Sequence, residues 1–170
     1  MASFAVTILL AVVWTLSASG QWVNNFDQVA TFECTHGRAL YLIRSIHDNY
    51  FEDRIWQFKC RTAYTTTSCF WTEFLNLWDQ TLDYNCPGDN YINGIYSVHD
   101  NYYEDRRFSV KCCAAGHRPL KWCYLTDYIN DWDGEMYFEA PGGYVIRGLQ
   151  SHHDNSREDR RWKINLCWVV

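Results

Sequence analysis

His47-Asp48-Asn49-Tyr50-Phe51-Glu52-Asp53-Arg54 is a phrase that the chain states three times. It returns as His99-Asp100-Asn101-Tyr102-Tyr103-Glu104-Asp105-Arg106 and as His153-Asp154-Asn155-Ser156-Arg157-Glu158-Asp159-Arg160. Six of the eight positions are identical, H-D-N-x-x-E-D-R, and the copies lie 52 and then 54 residues apart. A period of that length marks a supersecondary unit used repeatedly. Before the phrase, the runs Ala39 to Ile46, Tyr91 to Val98 and Tyr144 to Leu149 are rich in β-branched and aromatic residues and read as strands. Asp48-Asn49 is a turn signal, because such side chains bond their own backbone two residues on. After the phrase, Arg54, Trp56, Phe58 and Cys60 alternate with Ile55, Gln57 and Lys59, which places the two sets on opposite faces of a strand. The unit is therefore strand, polar bend, strand.

The rest of the chain follows the same period. Cys69-Phe70-Trp71-Thr72-Glu73-Phe74 matches Cys123-Tyr124-Leu125-Thr126-Asp127-Tyr128, and Trp78-Asp79 matches Trp132-Asp133, with Phe26-Asp27 as a first member. No window shows helical periodicity with caps. The expectation is an all-β fold of three pseudo-equivalent repeats, roughly residues 26–77, 78–131 and 132–170, with pseudo-threefold closure of a trefoil or prism kind. Such closure hides sheet edges. The third copy places one extra residue before its cysteine, Cys167, which predicts a bulge in the last strand. Gly94 aligns only loosely with Leu42 and Gly148, and no role is read into it.

Phe4 to Leu16 is nearly all apolar, and Ser17-Ala18-Ser19-Gly20 offers small residues for cleavage. Residues 1–20 are expected to be a signal peptide, and 21–170 one secreted domain. Eight cysteines suit that compartment. Cys34 and Cys86 each stand 13 residues before their histidine, and Cys60 and Cys112 stand 13 after. This favours Cys34–Cys60 and Cys86–Cys112, each closing a loop worth roughly 3–4 kcal/mol in the chain-entropy account. The third copy has Ala140 and Pro141 where the first cysteine would sit. Cys123–Cys167 and Cys69–Cys113 then follow, although the neighbours Cys112 and Cys113 can exchange roles. Zinc held by thiolates is disfavoured, because no C-x2-C pair occurs.

The formal net charge of −5 argues against nucleic acid, which asks for a basic face. No apolar stretch after the leader approaches membrane length, so membrane insertion is not expected. Aromatics make up 18% of the chain, more than a small core absorbs, so some should lie at the surface. The phrase itself divides into two readings. Asp53, Arg54 and Trp56, with Asp105, Arg106 and Phe108 and with Asp159, Arg160 and Trp162, suit a structural role, since bidentate carboxylate–guanidinium pairs fix geometry. His47, Asp48, Asn49 and Glu52, with His99, Asp100, Asn101 and Glu104 and with His153, Asp154, Asn155 and Glu158, suit the hydroxyls of a sugar. Three weak sites would give cell-bridging avidity. No cofactor is required. Calcium is the one ion that Asp48, Asn49, Glu52 and Asp53 suggest as hard oxygen donors, yet their spacing matches no EF-hand loop. No nucleophile–base or metalloprotease motif occurs, so an enzyme is not expected.

At these residues the chain resembles the dermatopontin family, and within it the invertebrate haemagglutinin/amebocyte aggregation factors. The family mark, D-R-[EQ]-W-[NQK]-[FY] shortly before a cysteine, is approached by Asp53-Arg54-Ile55-Trp56-Gln57-Phe58, Asp105-Arg106-Arg107-Phe108-Ser109-Val110 and Asp159-Arg160-Arg161-Trp162-Lys163-Ile164. The second departs most. Cys112-Cys113 and Trp122-Cys123-Tyr124-Leu125-Thr126 also look like the family. The resemblance implies a secreted, lectin-like protein that agglutinates cells by binding cell-surface or matrix glycans. The alternative is a matrix adaptor for collagen, proteoglycan or glycosaminoglycan. A homo-oligomer is compatible with either.

Overall fold

The computed structural model describes residues 21–63 and 68–170, so the expected leader lies outside the described residues. Among the described residues every regular element is a strand. The strands are β1 Ala30–Glu33, β2 Arg38–Asp48, β3 Asp53–Thr62, β4 Cys69–Trp71, β5 Leu82–Asn85, β6 Asn90–Asp100, β7 Asp105–Ala114, β8 Leu120–Leu125, β9 Met136–Glu139, β10 Tyr144–Asp154 and β11 Asp159–Val169. The three copies of the phrase form the bends of three long hairpins, β2–β3, β6–β7 and β10–β11. Their closing pairs are Asp48 with Asp53, Asp100 with Asp105, and Asp154 with Asp159.

The short strands tie the hairpins together. β1 pairs with β6, β5 with β10, and β9 with β2. Each thus leaves its neighbour in sequence and joins a different hairpin. β4 and β8 add outer strands to β7 and β11. The three sheets read β1-β6-β7-β4, β5-β10-β11-β8 and β3-β2-β9. Their inner faces meet in a core that includes Leu40, Ile43, Ile92, Ile95, Ile146, Leu149 and Leu166.

Four disulfides are present and no cysteine is free: Cys34–Cys60, Cys86–Cys112, Cys69–Cys113 and Cys123–Cys167. They fall into two kinds. The first two span 26 residues each, and the last two pin β4 and β8 to their neighbours across 44. This corrects the expected bulge in the last strand. Cys167 corresponds to Cys113, both seven residues past their arginine, so no residue is extra. Leu166 fills the place of Cys60 and Cys112. Ala140 fills that of Cys34 and Cys86, and its N–H bonds to Tyr41 as theirs bond to Asn93 and Arg147.

The register shifts lie elsewhere, at Tyr41, Asn93 and Arg147 in the first strand of each hairpin. A further shift on the β8 side of its pairing with β11 leaves Trp122 at φ 48°. Leu42, Gly94 and Gly148 follow their bulges at one shared position, so Gly94 does carry a meaning that sequence left unread. A Cβ on Gly148 would stand 2.1 Å from the Asn85 side chain and 2.4 Å from the Tyr84 carbonyl, and one on Gly94 would stand 2.9 Å from the Phe32 carbonyl. A side chain at Gly94 or Gly148 would therefore press on β1 or β5, whereas Leu42 is accommodated beside β9 at the equivalent position.

Candidate functional site

The D-R end of each phrase builds a closed ring. Arg54 donates through Nε and Nη2 to Asp159 at 2.6 and 2.7 Å. Arg160 donates likewise to Asp105 at 2.7 and 2.7 Å, and Arg106 to Asp53 at 2.5 and 2.7 Å. Every arginine thus reaches the aspartate of a different hairpin, and all six residues are buried. Below the ring, Trp56, Phe108 and Trp162 meet edge to face with centroids 4.9 to 5.7 Å apart. Such aromatic pairs add roughly 0.5–1.5 kcal/mol each beyond the area they bury.

A second repeated element, which the sequence reading only half identified, holds this ring in place. It is N-x-[FW]-D, at Asn24–Asp27, Asn76–Asp79 and Asn130–Asp133. Each asparagine is buried and lies 30 residues before the arginine whose carbonyl it bonds: Arg54, Arg106 and Arg160. Its Oδ1 accepts the N–H of Trp56, Phe108 or Trp162. Each aspartate then turns in left-handed backbone, φ 58° to 61°, and donates its N–H to the ring carboxylate of Asp53, Asp105 or Asp159 at 2.8 to 2.9 Å. The constant 30-residue offset was the signal available in the sequence.

The twelve residues read as sugar ligands do not stay together at three bends. Strand alternation divides them. Asp48, Asp100 and Asp154 turn outward, and each Oδ1 accepts the N–H two residues on at 2.9 Å. Asn49, Asn101 and Asn155 are exposed. His47, His99 and His153 point inward, with side chains 0 to 1% exposed. The glutamates return inward because Glu52, Glu104 and Glu158 take φ 44° to 45°, a left-handed turn that costs a non-glycine residue energy. All three histidines and all three glutamates line one cavity of about 20 Å³ with the ring and the aromatics. That is room for one water-sized particle.

The electrostatics of the cavity are acidic. His47 lies 3.6 Å from Glu52 and from Asp159, His99 lies 3.5 Å from Asp27 and 3.7 Å from Glu104, and His153 lies 3.7 Å from Asp79 and 3.6 Å from Glu158. Burial pushes the Glu104 and Glu158 carboxyls up, the nearby histidines pull them back, and the neighbouring acids push them up again, for a net rise. Asp159 goes the other way. Burial raises it, but the Arg54 hydrogen bonds and charge, with the Asp133 N–H, take it below the ordinary carboxylate value. Above the cavity, Asn49, Glu52, Asp133, Ser156 and Arg157 line an open polar cleft of about 300 Å³ between the first and third bends. Tyr50 and Tyr102 stand out at 86% exposure.

These features define a disulfide-stapled all-β protein whose three hairpins share one buried polar centre. The chain belongs to the dermatopontin family, whose family model matches residues 24–170. It is 40% identical over 162 residues to a hemagglutinin/amebocyte aggregation factor of Limulus polyphemus, covering 94% of each chain. It is 37% identical to a dermatopontin of Biomphalaria glabrata, covering 86% of this chain and 99% of that one. It is 28% identical to the dermatopontin of Bos taurus, covering 86% and 76%. No solved structure matches the chain.

Proposed function

We propose that this protein is a secreted, multivalent glycan-binding protein that agglutinates or adheres cells, and that it is a binder rather than an enzyme. The four disulfides support an oxidising compartment. The observation that carries the reading is the cleft between the first and third bends. Asn49 offers an amide, Glu52 and Asp133 carboxylates, Ser156 a hydroxyl and Arg157 a guanidinium, in a volume that accepts a sugar ring. Tyr50 supplies an exposed aromatic face beside it. We read the cyclic exchange of short strands as pseudo-threefold closure of the three repeats, which gives three inter-bend positions on one end of the molecule. The relative named as a hemagglutinin and aggregation factor agrees with this use.

Haemagglutination with sugar competition is the test. Asn49→Ala and Arg157→Ala should each weaken agglutination about tenfold while melting unchanged. Agglutination that no mono- or polysaccharide blocks, together with a silent glycan array, would remove the lectin reading. One observation supports the matrix-adaptor alternative. Strand β8 is a sheet edge with Trp122 72% exposed and Tyr124 and Leu125 exposed beside it, and an apolar edge of this kind can take up a protein strand. Binding to collagen that Trp122→Ser abolishes would favour the adaptor.

A further inference from the structure

From the side chains that meet at the junctions between hairpins we infer that Asp27, Asp53 and His99 form one binding site for a divalent transition-metal ion of the zinc class, that Asp79, Asp105 and His153 form a second, and that Asp133, Asp159 and His47 do not form a third. In each of the first two groups, one ligand atom from every residue lies within 4.8 Å of the others. The imidazole Nδ1 stands 3.5 Å from Asp27 Oδ1 at the first and 3.7 Å from Asp79 Oδ1 at the second. Those separations are long for a hydrogen bond. They approach the edge of about 3.4 Å that a tetrahedral ion with bonds of about 2.1 Å imposes on two of its ligands.

At the first site the histidine and the outer aspartate oxygen have no competing use. The His99 side chain is fully buried, and neither of its ring nitrogens has a hydrogen-bond partner. Asp27 Oδ1 and Asp79 Oδ1 are buried and unpartnered as well. At the second site His153 Nε2 is likewise unpartnered, while Nδ1 stands 3.4 Å from Asn155 Oδ1, a long contact that an ion on Nδ1 would replace. Among the described residues, the only ion-pair partner within 4 Å of Asp27 is His99, and of Asp79 it is His153. Asp53 and Asp105 already carry their arginines, and their Oδ2 atoms also accept the N–H of Asp27 and Asp79, so Oδ1, which takes a single arginine bond, is the oxygen of each with a lone pair to offer. Glu104 and Glu158 complete the arrangement, at 3.7 and 3.6 Å from the opposite ring nitrogen. A carboxylate in that place fixes the tautomer of a metal-bound imidazole. Mixed imidazole and carboxylate donors suit zinc and its neighbours, whereas calcium asks for six to eight oxygens.

The third junction carries a different residue beside its outer aspartate. Arg157 stands where Phe51 and Tyr103 stand in the other copies. Phe51 stacks on Phe26 and Tyr103 on Trp78, beside Asp27 and Asp79. Arg157 instead pairs with Asp133 at 3.5 Å, so a protein cation already neutralises that carboxylate.

The whole chain, secreted and stripped with EDTA, is titrated with Zn²⁺ by calorimetry and native mass spectrometry. Two ions per chain are expected. His99→Gln and His153→Gln should each reduce the count to one, His47→Gln should leave it at two, and Arg157→Phe should raise it to three. If a histidine variant fails to fold, Asp27→Asn, whose side chain is about a quarter exposed, should weaken one site at least tenfold. Substitution with Co²⁺ should give the visible absorption of a tetrahedral ion. No Zn²⁺ binding, or a stoichiometry that His99→Gln and His153→Gln leave unchanged, overturns the inference. So does a count that falls equally for His47→Gln. None of these readouts involves carbohydrate, so the metal sites and the lectin reading stand or fall separately.

Discussion

His47 and Asp48 are adjacent in sequence and do opposite things. The histidine is sealed in the protein with its ring among carboxylates, while the aspartate caps a surface turn and faces solvent. The same division recurs at His99 and Asp100 and at His153 and Asp154. Side chains alternate across a strand, so a motif at a strand end is shared between two faces. The left-handed glutamate then turns the chain inward again, and the phrase becomes inner (His, Glu, Asp, Arg) and outer (Asp, Asn and the two variable residues). Residue identity in three copies reflects two separate demands: a common centre, and a common turn.

The strongest way to break this comparison is to attack the ring. Asp53→Ala leaves the Arg106 guanidinium buried without its carboxylate. Loss of one partner of a buried pair costs about 3–5 kcal/mol. Chemical denaturation should show a loss of that size, and it should be similar for Asp105→Ala and Asp159→Ala. The double variant Asp53→Ala with Arg106→Met should recover much of it, because no charge is then left unpaired. If the single variant costs under 1 kcal/mol, the ring is not what holds the hairpins together.

Much of this was legible in the sequence, because local rules dominate a hairpin. Period-2 alternation locates the long strands, Asp-Asn locates the bends, and the D-R-x-[WF] residues given a structural reading are those that form the buried ring and the aromatic cluster beneath it. Constant offsets from the phrase favour two of the four cysteine pairings, Cys34–Cys60 and Cys86–Cys112, and leave the other two to elimination. What sequence could not show depends on contacts between distant residues. Asn24, Asn76 and Asn130 matter only because the fold brings them to the strands 30 residues later. Strands such as Ala30–Glu33 are four residues long and exist because a neighbouring hairpin accepts them. The inward aim of the glutamates rests on a positive φ that no propensity for glutamate would suggest.

A smaller effect tests the outer set. Asp100 is expected to matter only through the bond from its Oδ1 to the Tyr102 N–H. Asp100→Ala should therefore cost about 0.5–1.5 kcal/mol, the usual net worth of one such bond, and Asp100→Asn should restore most of it, since an amide oxygen accepts the same N–H. A loss as large as that of Asp53→Ala would mean that the outer residues also support the centre.

The smallest effect has the opposite sign. Glu104 and Glu158 are held inward by left-handed backbone, and their carboxyls titrate above the ordinary glutamate value because burial and neighbouring acids disfavour the charge. A carboxyl whose folded pKa is raised binds its proton more tightly in the folded state. Its contribution is therefore complete below the unfolded value and is lost as pH rises through the folded one. Asp159, with its folded pKa depressed, contributes above its unfolded value and loses that contribution as pH falls through the folded one. In EDTA, then, melting temperature should rise as pH falls from 7 toward the ordinary glutamate range, and drop once Asp159 begins to protonate. Glu104→Gln removes the charge at every pH, so it should stabilise the metal-free protein at pH 7 by less than about 1 kcal/mol, since the side chain is about a third exposed. It should also flatten the acid-side rise. A variant less stable than the parent at pH 7 would show that the glutamate already has a partner in the cavity. A centre that gains stability when its own thrice-repeated acid is neutralised holds that acid for something other than folding.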